Sequence, residues 1–133
     1  MTRTRRAAVV LGLVAGVVGI AGCAAAPMER AARPLPAGGQ AVTIEMVRFT
    51  FAPDVVTLQA GVPIAITAAS HSRIPHNLTI LSPEGQVLKR VDIAAEQTVA
   101  FDVTLPRPGR YVFYCDKFLH RRPFGMAGAF VAR

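Results

Sequence analysis

An all-β sandwich or barrel is the fold class that this 133-residue sequence predicts, and three observations predict it. Short apolar runs, several of them alternating apolar with polar residues, recur from Val42 to Ala132. Turn sequences separate them, as at Ser82-Pro83-Glu84-Gly85 and Pro106-Arg107-Pro108-Gly109. No segment carries an apolar stripe at helical spacing with caps at its ends. About 90 residues suffice for such a core, since Ig-like sandwiches take about 100. The length predicts one domain, and no internal repeat is visible.

The N-terminus reads differently. Residues 1–6 carry three arginines and no acid, and residues 7–22 carry no charge. A basic start followed by a short run of small apolar residues predicts a secretory signal peptide over 1–22. The run is shorter than the ~20 apolar residues a spanning helix needs. An uncleaved anchor is the alternative. The run ends at Ile20-Ala21-Gly22-Cys23, which resembles a bacterial lipobox. The resemblance implies that Cys23 is lipidated and becomes the first mature residue. Thr4-Arg5-Arg6 leaves a twin-arginine export signal as a weaker reading. Residues 24–40, rich in Ala, Pro and Gly, read as a flexible tether from the lipidated Cys23 to a folded domain at 41–133. The expectation is an exported lipoprotein, held at a membrane and facing the periplasm or the cell exterior.

Removing the three leader arginines from the 15 Lys and Arg leaves 12 against 8 Asp and Glu, a net charge of +4. These charges form no long basic patch interleaved with aromatics, so nucleic acid is not an expected partner.

Within the domain, Val42, Ile44 and Met46 alternate with polar or intermediate residues and predict the first strand. Val55 to Gln59 is a β-branched run closed by Ala60-Gly61. Pro63 to Ala69, His76 to Leu81 and Val87 to Ile93 follow as strands. Val99, Phe101, Val103 and Leu105 alternate with Ala100, Asp102 and Thr104, the pattern of a half-buried strand. Arg110 to Cys115 and Ala127 to Ala132 complete the set, and short strands at this spacing favour antiparallel pairing.

The chemistry concentrates between the last two strands. The chain holds two cysteines. With Cys23 lipidated, Cys115 has no disulfide partner, and a lone thiol in an oxidising compartment needs burial or a ligand. Five residues on stands His120, and six further stands Met126. One loop thus presents a thiol, an imidazole and a thioether. Thiolate and imidazole suit copper, and a weak thioether completes a trigonal site with a long axial contact. A second imidazole must come from elsewhere. His76, in Pro75-His76-Asn77, is the best candidate. His71 lacks a following Asn, and its flanking Ser70 and Ser72 predict a solvated loop. Bland readings remain beside these: Cys115 as a buried core thiol and Met126 as a core gap-filler.

These pieces together resemble the cupredoxin family of blue-copper proteins. Phe51-Ala52-Pro53 followed by Val55-Val56-Thr57-Leu58 and Gly61 resembles its opening strands. Pro75-His76-Asn77 resembles its first-ligand motif, and Arg107 to Cys115 its strand leading to the thiolate. Gly125-Met126-Ala127-Gly128 resembles the segment carrying the axial ligand. The resemblance implies a Greek-key β-sandwich or barrel. It implies one type 1 copper ion with His76, Cys115 and His120 in plane and Met126 axial. It also implies that Asn77 ties the two ligand-bearing loops together. Phe118-Leu119 stand where family members often carry Pro before the second His, and the five residues between His120 and Met126 exceed common versions.

In the family the second loop imidazole usually emerges at an apolar patch. Here Phe118, Leu119 and Phe124 border His120, which fits a docking surface. Lys117, Arg121 and Arg122 around it would steer a redox partner that is acidic at its docking site. The function expected is single-electron transfer by a monomer. Copper tolerance or delivery without an electron-transfer partner is the second reading, and a metal-free adhesion sandwich another. No nucleophile–base pair at recognisable spacing and no second copper cluster point to an enzyme.

Overall fold

Side chains alternate between the faces of a strand, so a period-two apolar pattern buries one face. In the computed structural model, which describes residues 38–133, that pattern produces nine strands. They are β1 (Gln40–Val47), β2 (Thr50–Ala52), β3 (Val55–Leu58), β4 (Pro63–Ser70) and β5 (His76–Leu81), followed by β6 (Val87–Ile93), β7 (Thr98–Thr104), β8 (Gly109–Tyr114) and β9 (Ala127–Ala132). The leader 1–22, the lipidation candidate Cys23 and the tether up to residue 37 lie outside the described residues. Gln40, assigned to the tether by sequence, is instead the first residue of β1. Its amide brackets the backbone of Gln59, donating to the carbonyl at 3.0 Å and accepting from the N–H at 2.7 Å.

Two sheets face each other, with strand orders β2-β1-β4-β7 and β3-β9-β8-β5-β6. Val42, Ile44 and Met46 of β1 point inward, as do Ile64, Ile66 and Ala68 of β4. From the second sheet come Leu78, Ile80, Tyr111, Phe113 and Phe130. Phe113 anchors the middle, meeting Phe51 edge-on at 5.2 Å and Phe130 at 4.6 Å between ring centroids. The Tyr111 hydroxyl donates to the Arg107 carbonyl at 2.9 Å and so fixes the turn into β8. Among the described residues no helix is long and apolar enough to cross a membrane.

The purely antiparallel arrangement needs correction. β1 and β4 run parallel, as do β3 and β9. Between β1 and β4 the chain folds back as β2 and crosses to the other sheet as β3. It therefore re-enters the first sheet in its original direction, which no hairpin could do. Both parallel pairs come from such a crossover, a feature that strand periodicity does not encode.

Candidate metal centre

β5 begins, β8 ends and β9 begins at one end of the sandwich, and this sets the site. The last pair of the β8–β9 ladder is Tyr114 with Ala127. One step beyond, the Cys115 N–H donates to the Met126 carbonyl at 3.1 Å. The loop 115–126 therefore springs from a fixed base. Inside it the His120 N–H donates to the Lys117 carbonyl at 3.0 Å, and the Met126 N–H donates to the His120 carbonyl at 3.0 Å. Leu119 at φ 65° and Gly125 at φ 70° make the left-handed bends that fold the loop inward.

The result brings three candidate ligands together. One ligand atom each from His76, Cys115 and His120 lies within 4.8 Å of the others. The Cys115 sulfur stands 3.2 Å from Nδ1 of His120 and 3.9 Å from Nδ1 of His76. Such spacings let all three donors reach one ion at about 2.0–2.3 Å, the usual range for metal–N and metal–S bonds. Met126, with its backbone bonded to both Cys115 and His120, is fully buried. His71 stays apart, more than half exposed, with Nε2 3.9 Å from a Glu45 carboxylate oxygen.

The imidazoles are held neutral. Burial, with the His120 ring beside it as second cause, pushes His76 from 6.5 down to about 4. Burial and then Lys117 lower His120. Neutral imidazole is the form that binds a metal. Nε2 of His76 is buried with no hydrogen-bond partner, so the ring's polar interactions run through Nδ1 toward the sulfur. An unsatisfied buried group costs about 1–3 kcal/mol. The case for a metal rests instead on the donor set, one thiol and two imidazoles turned toward each other through Nδ1, which suits copper.

Asn77 bridges the two ligand-bearing segments. Its backbone N–H donates to the Cys115 sulfur at 3.4 Å. Its side-chain oxygen accepts from the Asp116 N–H at 2.8 Å, and its side-chain nitrogen donates to the Asp116 carboxylate. Arg90 of β6 then grips the same carboxylate through Nε at 2.8 Å and Nη2 at 3.2 Å. Arg90 first, with Asn77 and Thr79 adding, holds Asp116 at about 2 against the opposing effect of burial.

Around this centre the exposed apolar residues are Phe118, Leu119 and Phe124, at 87%, 47% and 51%. His120 is only 8% exposed, so the loop's apolar rim, rather than an open imidazole, forms most of the outer surface. The flanking cations are partly committed elsewhere. Lys117 pairs with Asp92 at 3.0 Å, and the Arg121 guanidinium lies 4.1 Å above the Tyr114 ring. Arg122 is exposed.

Several contributors were invisible in the sequence. Phe49, in the turn between β1 and β2, meets His120 edge-on and stacks on Phe124. Ser70 and Ser72 are buried, not solvated: their backbone pairs with the segment at Glu96 and Gln97, the Ser70 N–H donating to the Gln97 carbonyl at 2.8 Å and the Ser72 carbonyl accepting from the Glu96 N–H at 3.0 Å. Their hydroxyls accept the N–H groups of Ser72 and Ile74 at 3.3 Å and fix the loop that delivers His76. Asp116 and Arg90 carried no local motif; only the adjacency of Asp116 to Cys115 pointed toward the former.

Comparison with known proteins bears on the fold and the family. The structure is similar to auracyanin from the photosynthetic bacterium Roseiflexus castenholzii, with a TM-score of 0.63 and 18% identity over 71% of this chain and 98% of that one. It is similar to auracyanin A, a "blue" copper protein of Chloroflexus aurantiacus, with a TM-score of 0.64 and 18% identity over 72% and 100%. It is also similar to a mutant amicyanin in its reduced state, with a TM-score of 0.52 and 22% identity over 74% and 86%. At these identities the likeness establishes the fold. The family model for the cupredoxin-like domain matches residues 13–131, nearly the whole chain. With its sandwich, its donor cluster and that match, the chain belongs to the cupredoxin-like family.

Proposed function

We propose that this protein holds one type 1 copper ion through His76, Cys115 and His120, with Met126 as the weak axial ligand, and carries single electrons between redox partners. The observation that carries the reading is the convergence of one buried thiol and two neutral imidazoles on a single point. Bound copper supplies a one-electron couple there, Cu(I)/Cu(II). The chain's residues do the rest. The β8–β9 ladder and the Met126 and His120 backbone bonds hold the donors in place, so little rearrangement accompanies a change of charge. The buried core below keeps water away from the sulfur. The exposed rim of Phe118, Leu119 and Phe124 supports docking of a partner surface close to His120. Arg122, with Arg121 and Lys117 contributing less, supports steering of an acidic partner.

The basic-then-apolar leader and Cys23 support export and a lipid anchor at the periplasmic or outer face of a membrane. Addition of copper(II) to the purified protein is the test. An intense visible band with the small copper hyperfine splitting of a thiolate-bound site supports the proposal, and a colourless product overturns it. Copper tolerance or delivery without an electron-transfer partner is the second reading. It gains ground if a chelator strips the metal within seconds, because a carrier retains its ion.

A further inference from the structure

On the outer face of the second sheet lies a closed ring of four charged side chains. Asp116, next in sequence to Cys115, accepts from Arg90 through two guanidinium nitrogens at 2.8 and 3.2 Å. Arg90 also donates to Asp92 at 2.8 Å. Asp92 pairs with Lys117 at 3.0 Å, and Lys117 follows Asp116 in the chain. The ring begins and ends on the loop that carries Cys115, and its other half is on β6. Strand register explains the fit: Arg90 stands opposite Thr79, and Asp92 opposite Asn77. Their side chains therefore rise on the face where Asn77 meets Asp116.

One member reaches the candidate metal centre. The Asp116 carboxylate also receives the Asn77 side-chain nitrogen and the Thr79 hydroxyl, while its own N–H holds the Asn77 oxygen. Both ends of the Asn77 amide are thus fixed by one residue. The Asn77 backbone N–H is the group that points at the Cys115 sulfur. Single exposed ion pairs contribute little, but a bidentate Arg–carboxylate pair within a network holds its geometry. The formal charges of the ring sum to zero, so it places no net charge beside the thiolate.

We infer that Arg90 and Asp116 are positioning residues, which fix Asn77 and its N–H···S contact and keep the electrostatic field at the copper centre balanced. This rests on the copper reading above. Breaking the ring at Arg90 leaves a carboxylate uncompensated and favours the more positive Cu(II) form. Breaking it at Asp116 leaves a guanidinium uncompensated and favours Cu(I). A merely structural role loosens the loop in both cases and moves both variants the same way.

The experiment is a redox titration of the copper-loaded full chain, at low ionic strength, for Arg90→Gln, Asp116→Asn and the double variant. At a fixed applied potential, R90Q should raise the oxidised-to-reduced ratio about threefold and D116N should lower it about threefold, the size expected for one exposed charge whose field is largely screened by water. The double variant restores the charge balance but not the hold on Asn77, so its ratio should lie between those of the two single variants. Shifts of the same sign, or none, overturn the inference. A second readout needs no metal. In the copper-free protein, hydrogen exchange of the Asn77 N–H should accelerate in both single variants while that of Tyr111 and Phe113 in the core stays slow. Unchanged exchange at Asn77 overturns the positioning role. Failure of the native chain to turn blue with copper overturns the electron-carrier reading instead, and the ring then stands or falls on exchange alone.

Discussion

The ring of Phe49 meets the imidazole of His120 edge-on, with centroids 5.0 Å apart, and the same ring stacks on Phe124 at 4.1 Å. A residue from the β1–β2 turn thus clamps the metal loop between its ligand and its rim. Arg48, at φ 54°, makes the bend that presents it.

Phe49→Ala should therefore loosen the loop without dismantling the core. Aromatic pairs contribute about 0.5–1.5 kcal/mol each beyond their area burial, so the variant should lose about 1–3 kcal/mol in urea denaturation. Copper removal by a chelator should become several-fold faster. A variant as stable and as slow to lose copper as the native protein contradicts the clamp.

Ligand substitutions separate the sulfurs. Cys115→Ser should abolish the intense blue colour, because the thiolate–copper contact produces it. Met126→Leu should retain copper and shift the reduction potential, since the axial thioether tunes a site that the in-plane donors hold. Complete copper loss in the Met126 variant speaks against an axial role.

Acid should unfold the copper-free protein through its histidines. His76 titrates near 4 when folded and at its ordinary 6.5 when unfolded. Between those values the unfolded chain binds more protons, so stability rises with pH across the interval. The contribution is fully present above pH 6.5 and falls away as pH drops toward 4; lowered His120 adds in the same sense. Urea midpoints measured from pH 7 to pH 4 should decline, and a His76→Phe variant should flatten that decline. Copper should protect, because it competes with protons for the same nitrogens.

Gly128 is required for space rather than for backbone freedom. A Cβ there would run into the Asp54 carbonyl, just before β3, and into the ring of Phe113, the partner of Gly128 across the β8–β9 ladder. Gly128→Ala should cost about 1–3 kcal/mol, the usual penalty for overpacking a core. Thermal unfolding of the copper-free domain measures it, and an unchanged midpoint removes the steric explanation.

The residues themselves determined eight of the nine strands and the metal loop; β2, only three residues long, was too short to show a pattern. Short apolar or alternating runs between turn residues placed β5, β6 and β9 at their observed limits, because burying a strand face writes its pattern into the sequence. The Cys115–His120–Met126 spacing was legible because one short loop must turn all three toward a point. Tertiary structure alone decided the rest. Parallel pairing of β1 with β4, the Phe49 clamp, the burial of Ser70 and Ser72 and the Arg90–Asp116 grip all join segments far apart in the chain. Contacts of that kind depend on which strands become neighbours, and neighbourhood is settled by the packing of two whole sheets rather than by any local pattern.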